Sequence, residues 1–466
     1  MRQVDVLTVG DDARFNRFHA RILFWCALII VFDGYDLAVA GIALPSIMKS
    51  MGVDATAAGV MVSSALFGMM FGAIVMGMAA DRLGRPRTIA LCVALFSIFT
   101  AAAGLSPDPV TFAATRFLAG LGIGGVMPIV VAQMTEYAPK RLRSTLVTLM
   151  FSGYSVGGVV AALLGKALIE QYGWQSVFLA AGLPVLFVPL MLRGLPESKA
   201  FLLRQGRLDT LRGVVRSLEP SYRVSGDMVF ASSNTTTAAG APIRRLFDDG
   251  RGRSTVMLWV AFFMCLFMVY ALSSWLAKLM AGAGFTLGSA LNFVLALNIG
   301  AMAGAIGGGW LADRFQIRRV LIGMYLLAAV SISLLGFKMP TPLLFFFVAL
   351  AGASTIGTQI VTYAYAGQFY PAEMRGTGIG WASGVGRSGA ILAPIVIGVL
   401  VAMSLPLHQN FLAMAVPAVI AAAAVSLIDH RRAASMTAAA SPVASAVPGV
   451  LEVALAHDAA DRRGVL

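Results

Sequence analysis

Long apolar runs alternate with short polar clusters over almost the whole chain. Twelve such runs cover residues 20–45, 56–80, 87–105, 109–135, 144–168 and 174–193, then 254–280, 286–312, 318–337, 341–366, 375–404 and 407–429. A helix crossing the hydrocarbon of a bilayer needs about 20 mostly apolar residues. No water is present there to satisfy backbone N–H and C=O groups, so a run of that length reads as a spanning helix. The pattern predicts an all-α membrane protein with 12 transmembrane helices in two six-helix halves. The dividing stretch is polar and unpatterned and contains Ser232-Ser233-Asn234-Thr235-Thr236-Thr237. The predicted units are therefore a first half at 1–193, a linker at 194–253, a second half at 254–430 and a tail at 431–466 without fixed structure.

Composition agrees. Of 466 residues, 58% are hydrophobic and 12% charged, against roughly 25% charged in a soluble domain. The net charge of +13 does not point to nucleic acid, because the basic residues are spread over alternate loops. Clusters stand at Arg14/Arg17/Arg21, Arg82/Arg85/Arg87, Lys140/Arg141/Arg143, Arg204 to Arg216, Arg244 to Arg253, Arg314/Arg318/Arg319, Arg375 and Arg431/Arg432, with almost none between. By the positive-inside rule this places both termini and the linker in the cytoplasm, with the chain in the cytoplasmic (inner) membrane. Cys26, Cys92 and Cys265 each fall inside an apolar run and read as small buried hydrophobes. His19, His408, His430 and His457 lie at run ends or in tails, and no nucleophile with a base, metal-ligand cluster or phosphate-binding loop is present. Neither an enzyme nor a cofactor is expected.

The charges inside the runs carry the chemistry. Asp33 and Asp36 stand three residues apart on one helical face in the first run. Arg116 lies about two turns into the fourth run, and Arg387 about three turns into the eleventh. An ionised group at such depth needs a partner or a wet cavity, and it is a functional candidate by default. Asp36 or Asp33 is the expected partner of Arg116, with snorkelling to the outer surface as the alternative. Arg387 has no obvious acid in the second half, and its planar fork of donors fits a carboxylate. Gly77 to Arg87 (Gly-Met-Ala-Ala-Asp-Arg-Leu-Gly-Arg-Pro-Arg) is echoed by Gly309 to Arg319, with Gly, Asp81/Asp313, Arg82/Arg314 and a final Arg in register, which indicates a duplicated half.

Two six-helix halves with this repeated loop resemble the major facilitator superfamily over residues 15–430. Asp33-Gly34-Tyr35-Asp36-Leu37-Ala38-Val39-Ala40-Gly41 is similar to the signature of its aromatic acid:proton symporters, in the form most like benzoate transporters. Further matches are Thr135-Glu136-Tyr137-Ala138-Pro139-Lys140-Arg141 and Gly367-Gln368-Phe369-Tyr370-Pro371, followed by Gly380-Trp381 and Arg387. The resemblance implies proton-coupled uptake of a small aromatic carboxylate by alternating access. It implies proton coupling through Asp33, Asp36, Arg116 and Glu136, and a conformational latch at Gly77, Asp81, Arg82, Arg85, Asp313 and Arg314; fixing topology alone is the plainer role for the loop arginines. For the substrate, Arg387 and Asp36 are the expected polar contacts. Tyr35 and Trp381, with Tyr154, Tyr270, Trp275 and Tyr363, could supply ring walls, and Asn298 and Gln359 could reach substrate oxygens or bond between helices. Departures are Ala277-Lys278 after Trp275-Leu276, and Gln316 where the first loop has Gly84. An exporter, a symporter of another organic acid and a receptor that binds without transporting are the competing readings.

Overall fold

The structure, a computed structural model, describes residues 3–5, 10–218, 229–231, 243–370 and 375–429. Its helices are α1 (Arg17–Met51), α2 (Ala55–Leu83), α3 (Arg85–Ala103), α4 (Pro109–Tyr137), α5 (Arg143–Tyr172), α6 (Gln175–Ala180), α7 (Val188–Gly194), α8 (Lys199–Arg204) and α9 (Leu208–Leu218). The second half follows with α10 (Gly252–Gly282), α11 (Leu287–Arg314), α12 (Ile317–Leu334), α13 (Thr341–Phe369), α14 (Arg375–Ala402) and α15 (Leu407–Ser426). Among the described residues, 12 helical segments are long and apolar enough to cross a membrane. The expected tail at 431–466 lies outside the described residues.

The polar clusters between runs act as helix caps. Asp54 accepts from the Ala57 N–H at 2.8 Å, and Asp108 from Val110 and Thr111 at 2.9 Å each, satisfying donors that a helix start leaves open. Two expectations change. The sixth span is not one α-helix: α6 and α7 are joined by a 3-10 turn at Leu183–Phe187. Pro184 and Pro189 there lack the N–H that a continuous ladder needs. The linker is not unpatterned either, since α8 and α9 lie within it. In α9 the residues at helical spacing, Leu211, Val215 and Leu218, are buried. A short parallel pairing joins β1 (Gln3–Asp5) to β2 (Val229–Ala231), and Asn16 donates to the Leu218 carbonyl at 3.0 Å.

Small residues set how closely helices approach. A Cβ at Gly124 of α4 would stand 2.0 Å from the Met69 carbonyl oxygen of α2, and one at Gly304 of α11 would stand 2.1 Å from that of Ala353 in α13. The same crossing thus recurs in the two halves. In the first half, Gly34 lets α1 lie against α5, because a Cβ there would be 2.2 Å from the Tyr154 carbonyl oxygen. Inside this half Arg116 is paired with Asp36 at 3.0 Å, both side chains 1% exposed. The guanidinium also donates to the Thr100 hydroxyl at 2.8 Å and to the Asp36 carbonyl at 3.2 Å.

The halves meet along α1/α10, α2/α14 and α5/α11, and they meet at one end. Gly59 faces the Pro394 carbonyl, Gly398 the Ala55 carbonyl and Gly41 the backbone of Ser273 and Ser274. Ser63 donates to the Ile391 carbonyl at 2.7 Å, and Lys166 to Asn292 at 3.3 Å. At the opposite end, which carries the α2–α3 and α11–α12 loops, a Cβ at Gly77, Gly309, Gly380 or Gly384 would meet nothing. Phe71, Ile74 and Met78 are exposed there. The halves are therefore sealed on one face and parted on the other.

Two outcomes follow. Gly34→Ala forces α1 from α5 and lowers stability by about 1–3 kcal/mol; an unchanged melting temperature of the purified variant would contradict the close crossing. Asp36→Asn leaves the Arg116 charge buried and unpaired, a loss of about 3–5 kcal/mol. Asp36→Asn/Arg116→Gln should be no less stable than Asp36→Asn alone, whereas additive losses in thermal unfolding would show that the two residues act separately.

Candidate functional site

Three of the four charges predicted to lie deep in the spans are enclosed, and they sort into two groups. Asp36 and Arg116 neutralise each other within the first half. The carboxyl of Asp33, one helical turn earlier on α1, is 0% exposed, and among the described residues neither of its oxygens has a hydrogen-bond partner. It lies within electrostatic reach of Arg387, which comes from α14 in the other half.

Arg387 is half-buried, and among the described residues no carboxylate comes within 4.0 Å of its nitrogens. Its Nη1 instead stands 4.0 Å from the Met69 sulfur of α2. Tyr154 of α5, Tyr270 of α10 and Tyr363 of α13 lie within electrostatic reach around it. Tyr154 and Tyr270, one from each half, also lie within electrostatic reach of each other. Tyr363 bonds the Ser383 hydroxyl at 2.8 Å, and its ring packs edge-on against Phe262 with centroids 4.8 Å apart. The result is a cationic fork beside flat rings and a thioether, facing an acid whose oxygens have no hydrogen-bond partner among the described residues. Such a site suits an anion attached to a flat apolar body.

The remaining predicted residues are distributed differently. Tyr35 donates to the Val177 carbonyl at 2.8 Å and is buried, so it pins α1 to α6 and does not wall the Arg387 group. Asp36 is held by Arg116 within the first half. Trp381 is 48% exposed, stacked on Trp259 at 6.0 Å, nearer the parted end of α14 than Arg387. Asn298 bonds the Val294 carbonyl of its own helix at 2.9 Å and faces Gly158 of α5. Gln359 is half-buried on α13. Trp275, fully buried, donates to the Pro394 carbonyl at 3.1 Å and belongs to the sealed end.

Glu136 is grouped neither with Asp33 nor with Asp36. It lies twenty residues along α4 from Arg116, about 30 Å at 1.5 Å per residue. There it pairs with Arg85 and accepts from the Lys199 N–H at 2.6 Å and the Ser198 hydroxyl at 3.1 Å. Arg85 also donates to the Ala132 carbonyl at 3.1 Å, and its N–H to Glu197 at 2.9 Å. These residues bind α3, α4 and the start of the linker into one block at the parted end. Of the other latch residues, Gly77 faces open space, Arg82 is exposed and Arg314 lies over the Trp310 ring at 5.4 Å. The side chains of Asp81 and Asp313 lie outside the described residues.

Gly34, Met69 and Thr100 were not singled out from the sequence. Gly34 carried a signal, because a glycine between two intramembrane acids marks close backbone approach. Met69 and Thr100 carried none.

A Major Facilitator Superfamily model matches residues 26–316 and 296–451. The chain is 47% identical to a benzoate transport protein of Acinetobacter baylyi, over 92% of this chain and 94% of that protein. It is 35% identical to a gallate transporter of Pseudomonas putida (92% and 96% covered) and 34% identical to a 4-hydroxybenzoate transporter of Acinetobacter baylyi (92% and 95%). Among solved structures it resembles a bacterial homologue of the human lysosomal transporter Spinster in an inward-facing, unoccupied conformation, with TM-score 0.70, 20% identity and 89% and 98% of the two chains covered. It also resembles the inward-open xylose transporter XylE of Escherichia coli, with TM-score 0.68, 16% identity and 88% and 96% covered. The duplicated six-helix fold, the spans and these relatives agree: the chain belongs to the Major Facilitator Superfamily.

Proposed function

We propose that this transporter takes up an aromatic carboxylate of the benzoate or hydroxybenzoate class, together with a proton, across the cytoplasmic membrane by alternating access. The observation that carries the reading is Arg387: a guanidinium near the middle of a span, with no carboxylate in ion-pair range, ringed by tyrosines and set opposite the unpartnered Asp33. Benzoate offers a planar carboxylate for the fork and a flat ring for the Tyr363, Phe262 and Met69 side of the site. Relatives that transport benzoate, gallate and 4-hydroxybenzoate support the substrate class.

Charge balance supplies the coupling. With the site empty, Asp33 is the acid that Arg387 faces, and whenever it is ionised it is the counter-charge. A substrate carboxylate on Arg387 takes over that role and leaves Asp33 as an unpaired anion in a site shut from water, a cost that binding a proton removes. Substrate and proton then cross together without adding charge to the cavity. Asp33 is the proton site in this account, and the Asp36–Arg116 pair supports the helix that presents it. The parted face looks into the cytoplasm, as the basic loops and the inward-facing likeness support. Rocking of the halves about the site would open the sealed face in turn.

Uptake of radiolabelled benzoate into proteoliposomes under an inward proton gradient, with an ionophore control, tests the reading. Accumulation should collapse with the ionophore and in Arg387→Ala. Arg387→Lys, which keeps the charge but loses the fork, should raise KM by roughly 10- to 100-fold. Absence of uptake by folded protein, or a KM unmoved by Arg387→Lys, would contradict the assignment.

A further inference from the structure

The face of α14 that closes on α2 at the sealed end sets Pro394 against Gly59 and Ile391 against Ser63. One turn back along that face is Arg387, with its Nη1 against the Met69 sulfur, and beyond it Gly384 and Gly380 look into open space. Ser383 stands one further turn from Arg387 on this side of α14, at the edge of the opening, and both residues are half-buried. Ser388 turns its hydroxyl back to the Val385 carbonyl of its own helix at 2.6 Å, whereas that of Ser383 reaches across to the Tyr363 phenol of α13 at 2.8 Å. The Tyr363 ring is held edge-on by Phe262 of α10, with 80° between the planes. Resting on the function proposed above, we propose that Ser383 and Tyr363 form the specificity-determining subsite for a hydroxyl on the substrate's ring, at the 4-position opposite the carboxylate held by Arg387.

Reach and direction favour that position. The four residues from Ser383 to Arg387 rise about 6 Å along α14, close to the span of a benzoate from its carboxylate to the far edge of the ring. A carboxylate gripped by both arms of a guanidinium points its ring straight away from the fork. The 4-position is therefore carried farthest, while a 2-hydroxyl stays beside the carboxylate. On one side of Arg387 the seam of α2 with α14 is shut by Ser63 and Ile391. The ring lies toward the other side, where Ser383 and Tyr363 stand.

The selectivity follows from counting hydrogen bonds. Each hydroxyl has one hydrogen to donate and lone pairs to accept. Bonded to each other, Ser383 and Tyr363 are satisfied, so an unsubstituted ring leaves neither of them unpaired and benzoate is accepted. A 4-hydroxyl enters between them as a third member, and each of the three then donates once and accepts once. The substrate phenol thus recovers in the site the bonds it gave up to water. A methyl group of nearly the same size would part the two hydroxyls and offer them nothing. The subsite tolerates a bare ring, favours a hydroxyl and disfavours an apolar group in its place.

Competition against uptake of labelled benzoate into proteoliposomes tests this, with 4-hydroxybenzoate and 4-methylbenzoate as the two competitors. In the wild type the hydroxy compound should have an inhibition constant about tenfold lower than the methyl compound. Ser383→Ala/Tyr363→Phe removes both hydroxyls, so the methyl group is accepted, the phenol is left unpaired and the order should reverse. Ser383→Ala alone should give an intermediate ratio, because Tyr363 still answers the phenol. A structural role would weaken both competitors in parallel and keep the wild-type ratio. That result, or a ratio near one in the wild type, overturns the proposal. Should the double variant fail to fold, Ser383→Ala carries the test, and an unmoved ratio there counts against the subsite. A folded wild-type protein that takes up no benzoate contradicts the function itself, whereas uptake with a ratio near one contradicts the subsite alone.

Discussion

An ionised side chain inside the hydrocarbon has to be neutralised, and this molecule is organised around how it meets that demand. Two acids and two arginines enter the spans near the same level: Asp33, Asp36, Arg116 and Arg387. One pair is closed within the first half, where Arg116 and Asp36 are 3.0 Å apart. The other is left open across the two halves. A closed pair stabilises a helix bundle, while a charge left without an ion-pair partner across the two halves is a place where a third charge can enter.

The open pair depends on the packing around it. Gly34 lies between the two acids and lets α5 come against α1, which sets Tyr154 next to Asp33. Pro394 in α14 and the facing surfaces of Ala55, Gly59 and Ser63 on α2 hold the sealed end together through backbone carbonyls. These are contacts of position and shape with few charges, suited to parting and re-forming. At the other end the ion pair of Arg85 with Glu136 lies within one half, so it travels with that half as a unit. Rigid blocks that meet through small residues and single hydrogen bonds are the mechanical requirement for alternating access.

Much of this was legible in the sequence because the bilayer imposes simple rules. Run lengths gave the spans and the basic loops gave the expected sidedness, while a charge inside a run marked each deep site. Legibility failed where the outcome depends on helix rotation. Asp33 and Asp36 share a face at the level of spacing, yet only Asp36 turns far enough toward α4 to meet Arg116, whose guanidinium also donates to Thr100 of α3. Glu136 and Arg116 share a helix and an expected role in proton coupling, but their separation along α4 puts them in different networks. Tyr35 reads as a ring for a substrate, and only the packing of α6 shows its hydroxyl committed to the Val177 carbonyl. The break in the sixth span was readable from Pro184 and Pro189, and α9 was hidden because its apolar residues are few and set among arginines.

The most direct test of the central claim, that substrate replaces Asp33 as the counter-charge of Arg387, is proton uptake on binding. Purified protein in weakly buffered detergent solution is mixed with benzoate while the pH is followed. The account predicts proton uptake on binding that rises with pH toward about one proton per benzoate bound, retained in a stably folded Asp36→Asn/Arg116→Gln protein and absent in Asp33→Asn that still binds benzoate. Binding without proton uptake in the wild type, or undiminished uptake in Asp33→Asn, would contradict it.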